Sequence, residues 1–198
     1  ESEGYGMRIV PVTSAAAYIP GGTAKYPSTV LMTAIPARVA GVSEIYVACP
    51  PDISGTVPDS VLAAAHIADV DRIYPIGGAQ AISALAYGTE SVSKVDVICG
   101  PGNIFVTMAK KLVYGEVGID GLYGPTETVV LADETSNATL CAADLIAQAE
   151  HDPMARPILI TNSVELGDRV NSELDNRARS LDRVDIIHKS LNTKGLIA

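Results

Sequence analysis

The sequence predicts an α/β fold in which βα units build a mainly parallel sheet. Three observations carry that prediction. Short runs rich in Val and Ile alternate along the chain with Ala-rich stretches of helical length. The apolar runs are continuous rather than alternating, as expected of parallel strands covered on both faces. Glycine turns follow several of these runs and stand just before a helical stretch, which gives the units a Rossmann-like character.

Taken in order, strands are expected over residues 15–19, 45–49, 72–76, 95–99, 128–132 and 157–161. The first helix is expected over residues 28–40, with Pro36 kinking it or ending it early, because proline lacks a donor and clashes with the preceding turn. The second, over 58–68, has Pro58 near its first turn, where the lost donor matters least. Helices over 79–87, 104–114, 137–151 and 164–180 complete the set. The alternating charges from Glu165 to Arg183 read as a solvated helix face. Ile186 and Ile187 open a late strand-like run that carries His188. Residues 18–50 and 72–101 share the order strand, glycine pair, helix, strand, a weak sign of two such units, since alternating folds echo themselves by default. The division expected is a Rossmann-like region over 1–123 and a second α/β region over 124–198.

A chain of 198 residues that is 47% hydrophobic can bury a real core. Its 14 Lys and Arg against 23 Asp and Glu give a net charge of -9, which argues against tracking a phosphate backbone, so no nucleic-acid partner is expected. Pro, Gly or charge breaks the apolar stretches before the ~20 residues needed to cross a bilayer. No charged-then-apolar leader opens the chain, and a cytoplasmic location without membrane contact is expected. Cys49, Cys99 and Cys141, odd in number and far apart, suit reduced thiols. Both ends read as cut: the chain starts at Glu1 without Met, and Gly195-Leu196-Ile197-Ala198 reads as a strand beginning.

Pro20-Gly21-Gly22-Thr23, Gly77-Gly78-Ala79-Gln80 and Gly100-Pro101-Gly102-Asn103 each follow an expected strand and meet a helix start. Glycine lets backbone donors approach a ligand, and a helix N-terminus favours phosphate; the same glycines also serve tight turns that need positive φ. None matches Gly-x-Gly-x-x-Gly, so a dinucleotide would bind atypically. Cys99 ends a strand before such a turn and reads either as an activated nucleophile or as a buried strand cysteine, the second being preferred because no His neighbours it in sequence. His66 and His188 read as structural or surface histidines. Glu127 and Glu150 are too far apart in sequence to be paired as acid and base.

The richest chemistry lies in Gln148-Ala149-Glu150-His151-Asp152-Pro153, which closes the helix that opens near Asn137. At about 100° per residue, positions three apart fall roughly 60° apart around the axis. Gln148 and His151 therefore share a face, with Asp144 between them in projection. An imidazole and a carbonyl oxygen suit a borderline metal such as zinc, but a catalytic zinc takes three protein ligands and this segment offers two. The alternative is a terminal His meeting the carbonyl end of the helix dipole.

Together these pieces closely resemble the histidinol dehydrogenase family. The resemblance runs from about Gly6 to the last residue and rests on Tyr18-Ile19-Pro20-Gly21-Gly22, Ala34-Ile35-Pro36-Ala37-Arg38-Val39-Ala40-Gly41, Gly77-Gly78-Ala79-Gln80-Ala81-Ile82, Gly100-Pro101-Gly102-Asn103, Gly124-Pro125-Thr126-Glu127 and Gln148-Ala149-Glu150-His151, in the family's order. It implies a homodimeric, multi-domain enzyme, cytoplasmic or plastidic, that oxidises L-histidinol to L-histidine through an aldehyde with NAD and zinc. Carried over position by position, Tyr18, Gln80 and Asn103 contact NAD in residues 1–123, while Gln148 and His151 ligate zinc and border the substrate in residues 124–198. The remaining zinc ligands, an Asp and a His, and the Glu-His acid/base pair lie beyond residue 198, so no catalytic residue is assigned here and the chain reads as the central part of a longer enzyme. The family's substrate-contacting Ser is Thr126 here; Thr keeps the hydroxyl and adds a methyl, which leaves open a paralogue acting on another small amino alcohol or diol. A reading of another class is a non-catalytic α/β ligand-binding module.

Overall fold

Among the described residues the short, apolar and β-branched strands pair in parallel, and within each of the two sheets every strand is joined to the next by a crossover that contains helix. The computed structural model describes residues 6–21 and 25–198; Gly22 and Thr23 of the first glycine turn lie outside the described residues. Two compact units, Glu1–Gly124 and Pro125–Ala198, divide the chain.

The first unit runs β1 (Ser14–Tyr18), α1 (Pro27–Val39), β2 (Glu44–Ala48), α2 (Asp59–Ile67), β3 (Arg72–Tyr74), α3 (Gly78–Tyr87), β4 (Val97–Cys99), α4 (Ile104–Val113) and β5 (Gly118–Ile119). Its sheet has the order β3-β2-β1-β4-β5. The two-residue period of a strand sends alternate side chains of β1 to opposite faces. Ala15 and Ala17 pack with Val30, Ala34 and Val61 of α1 and α2, and Ala16 and Tyr18 with Ile82, Leu85 and Val106 of α3 and α4. Helices thus cover both faces, and strand order reverses between β1 and β4, the crevice where such sheets take ligands.

Pro36 does not end α1 at once: the helix continues to Val39. Only the last turn lies beyond the proline, so a single bond is lost. Closure follows from Ala40 N–H donating to the Pro36 carbonyl at 2.9 Å, then Gly41 at φ +89. Arg38 donates to the Val42 and Ser43 carbonyls and to Asp71 at 2.8 Å, and Asp71 accepts the Ile45 amide at 2.7 Å, locking the entry of β2.

The second unit runs β6 (Glu127–Ala132), α5 (Ala138–His151), β7 (Arg156–Thr161), α6 (Val164–Ala178), α7 (Val184–Lys194) and β8 (Leu196–Ile197), with sheet order β6-β7-β8. Leu145, Leu159, Leu166, Val170 and Ile187 centre its core. The strand-like reading around His188 is overturned, because this segment is α7. Ile187 and Leu191 repeat at the helical spacing of four, Ser190 is fully buried, and Asp185 and Lys194 stand at the ends that the helix dipole favours. Residues 128–132 also depart from the expected double coverage. Val130 faces the helices, whereas Val129 and Leu131 are exposed. Among the described residues no helix is long and apolar enough to cross a membrane.

Candidate active site

In the first unit the glycine turns stand at the carboxyl ends of β1, β3 and β4. Tyr18, the last residue of β1, is 3% exposed, and its hydroxyl accepts the Gly78 N–H at 3.0 Å. That amide opens α3 and has no intrahelical acceptor, so Tyr18 satisfies it from the neighbouring strand. Burial pushes the phenol pKa up, against the opposing pull of the Gly78 hydrogen bond, which keeps Tyr18 neutral near pH 7. Gln80 is exposed in the first turn of α3, its amide oxygen folded over Gly78, where an added Cβ would lie 2.8 Å from it. Asn103 is the N-cap of α4, and its Oδ1 accepts Phe105 N–H and Val106 N–H, each at 3.1 Å. Its amide NH₂ keeps two donors for a ligand.

The glycines have internal reasons. Pro50 wedges between two of the turns: a Cβ on Gly21 would sit 2.8 Å from the Pro50 Cβ, and one on Gly77 would overlap the Pro50 Cγ. Gly100, at φ +108, lies so close to the Tyr18 carbonyl that no side chain fits. These close approaches pack the turns on one another and shape the carboxyl edge of the sheet.

A pair of charged residues under the third turn escaped sequence reasoning. Lys110, 2% exposed, donates to the Gly100 carbonyl at 3.0 Å and pairs with Asp120, whose other carboxylate oxygen accepts the Gly100 N–H at 2.8 Å. One signal was available: Lys110 shares the buried face of α4 with Val106, Ala109 and Val113, an anomaly for a lysine. Burial first, then the Asp120 carboxylate, raise the Cys99 thiol pKa, while Lys110 opposes them. Cys99 is half-buried where a buried strand cysteine was expected, and its raised pKa argues against the activated nucleophile.

In the second unit Asn137 caps α5 by accepting Thr139 N–H at 2.9 Å and Leu140 N–H at 3.3 Å. The last turn holds Gln148, half-buried, and His151, exposed; Asp144 is exposed further up. Thr128 of β6 donates its hydroxyl to Gln148 Oε1 at 2.8 Å. Thr126 is exposed just before β6, its carbonyl accepting Arg156 N–H at 2.9 Å. Glu127 pairs with Arg156 across the first register position of β6 and β7 at 3.1 Å. After α5, Asp152 accepts Met154 N–H at 2.7 Å and buried Ser190 donates to the Ala155 carbonyl at 3.0 Å, which fixes where the helix ends.

This donor set fits part of a zinc sphere. An amide oxygen has a second lone pair after accepting from Thr128, and His151 is a neutral-imidazole ligand type on an open surface. Among the described residues no group of three or more His, Cys, Asp or Glu is placed to hold a metal, so any further ligands are not drawn from such a cluster.

The model of the histidinol dehydrogenase family matches residues 2–198. A histidinol dehydrogenase of Dehalococcoides mccartyi is 57% identical over 190 residues, covering 96% of this chain and 44% of that protein. One of Parasynechococcus marenigrum is 53% identical over 195 residues, covering 98% and 45%. The crystal structure of histidinol dehydrogenase from Elizabethkingia anophelis superposes with a TM-score of 0.92 at 39% identity, covering 96% of this chain and 44% of that one. The chain thus spans less than half the length of the relatives it matches.

Proposed function

The chain belongs to the histidinol dehydrogenase family, and from that premise we propose that it is the central part of a longer, homodimeric, cytoplasmic enzyme that oxidises L-histidinol to L-histidine through the aldehyde, the last two steps of histidine biosynthesis, with NAD and zinc. The observation that carries the reading is the family match over residues 2–198.

Tyr18, Gln80 and Asn103 contact NAD along the carboxyl edge of the first sheet, Asn103 through its free NH₂ and Gln80 from an exposed first turn. Gln148 and His151 would hold the zinc, which when bound supplies a fixed point for the substrate's imidazole and amine. Thr128 aims the Gln148 oxygen, as outer partners of metal ligands do. Thr126 offers a hydroxyl to the substrate. The acid/base pair and the other zinc ligands belong to sequence outside this chain. Thr126 favours a second reading, a family paralogue acting on another small amino alcohol or diol.

The test follows NADH formation from L-histidinol, smaller amino alcohols and diols. The full-length gene product is expected to turn over histidinol best. The 198-residue chain alone is expected to show no steady turnover with zinc and NAD supplied, since acid/base catalysis alone is worth about 10²–10⁴-fold. Preference of the full-length product for another alcohol supports the paralogue; binding without turnover of any of them supports a ligand-binding module.

A further inference from the structure

We infer that Lys110 and Asp120 are a positioning pair for the cofactor site, gripping the backbone N–H and C=O of Gly100, in two successive peptide groups, so that the turn ending in Asn103 is held in the orientation that receives the dinucleotide. This rests on the reading of Asn103 as an NAD contact.

Gly100 follows β4 at the point where strand order reverses. Both of its backbone polar groups are bound by one charged pair: the carbonyl accepts from Lys110 Nζ at 3.0 Å and the N–H donates to Asp120 Oδ2 at 2.8 Å. An ammonium only 2% exposed is costly to bury and is compensated here by a carboxylate and a carbonyl. The Lys110 ammonium is engaged by the Gly100 carbonyl and the Asp120 carboxylate, so it acts on the turn.

The two residues reach the turn from different elements. Lys110 stands on α4, the helix that Asn103 caps, so its bond to Gly100 makes turn and helix one rigid piece. Asp120 follows β5, the strand paired with β4, and ties the turn to the sheet. The segment after Asp120 is wrapped onto the same helix: the Tyr123 hydroxyl donates to the Asp120 carbonyl at 3.0 Å, Thr107 donates to the Tyr123 carbonyl at 3.2 Å, and the Tyr123 ring lies 5.7 Å from the Lys110 ammonium. Gly102 adds a third anchor, its Cα packed against Val106 too closely for a side chain. A turn pinned this way presents Asn103 without reordering when a ligand arrives, which is where preorganised sites gain affinity.

The test is steady-state kinetics of the full-length gene product. Lys110→Met and Asp120→Asn are expected to raise the KM for NAD about tenfold, leaving the KM for the alcohol and kcat at saturating NAD within about twofold. Lys110→Arg, which keeps the charge, should fall between wild type and Lys110→Met. Arg38→Met breaks a comparable charged anchor at Asp71 in the same unit and should leave the KM for NAD unchanged. Should Lys110→Met fail to fold, the near-isosteric Asp120→Asn and Lys110→Arg carry the comparison. A rise in Asn103→Ala without one in the folded pair variants overturns the inference and leaves the cofactor reading standing. Equal rises in Arg38→Met and Lys110→Met also overturn it, as a general loss of stability. No change in Asn103→Ala removes the cofactor reading, and the inference with it.

Discussion

Thr128 Oγ1 donates to Gln148 Oε1 at 2.8 Å, joining the second residue of β6 to the last turn of α5. The bond selects which face of the Gln148 amide is presented and which lone pair is left. Thr128→Val keeps the shape and removes the donor. In the full-length protein it is expected to weaken zinc binding about tenfold, the lower end of what outer partners of metal ligands contribute. Competition against a zinc chelator measures this, and unchanged affinity would detach Thr128 from the metal site.

Pro50 explains two glycines at once, and a double-mutant cycle reads it. Gly77→Ala forces a Cβ into the Pro50 ring and should cost about 1–3 kcal/mol in urea unfolding, the range for overpacking. In a Pro50→Gly background the same substitution should cost clearly less, the coupling between the two sites appearing as non-additivity. Full additivity would mean that Gly77 is required for a different reason.

Much of this was legible in the sequence where the cause is local. Asn137 and His151 bound α5 as expected because a side-chain cap and a following Asp-Pro are written within a few residues. The Gln148/His151 face follows from helical geometry alone. Thr128 as the partner of Gln148 was not legible, since it depends on how β6 sits against α5. Lys110 and Asp120 meet only because β5 is added beside β4, and β5 is two residues long, too short to leave a pattern. The segment 184–194 was misread because the adjacent Ile186 and Ile187 carry no period; the helix shows only when Ile187 is set against Leu191 four residues on.

Asp71 gives the fold a pH signature. Burial raises its carboxyl pKa, but the Ile45 amide and the Arg38 guanidinium outweigh that, and the net shift is below the ordinary 3.8. A folded value below the unfolded one means stability that is present above about 3.8 and is lost as pH falls through the folded pKa. Asp71→Asn should therefore cost roughly 1 kcal/mol at neutral pH and flatten the decline in unfolding free energy below pH 4 relative to wild type. Parallel acid limbs for the two proteins would contradict this assignment.

Thr126 should tune substrate choice more than rate. One methyl in a close-fitting pocket is worth about 1–3 kcal/mol of discrimination. Thr126→Ser in the full-length enzyme is expected to change the ranking of histidinol against smaller amino alcohols and diols in kcat/KM while sustaining turnover. An identical ranking in both forms would exclude position 126 as a specificity determinant.

The most direct measurement pairs zinc content with histidinol-dependent NADH formation in the full-length gene product and its His151→Ala variant. The account predicts about one zinc per site and steady turnover in the wild type, with metal and activity lost together in the variant because removing an imidazole leaves the ion under-coordinated. Stoichiometric zinc and undiminished turnover in His151→Ala would contradict it.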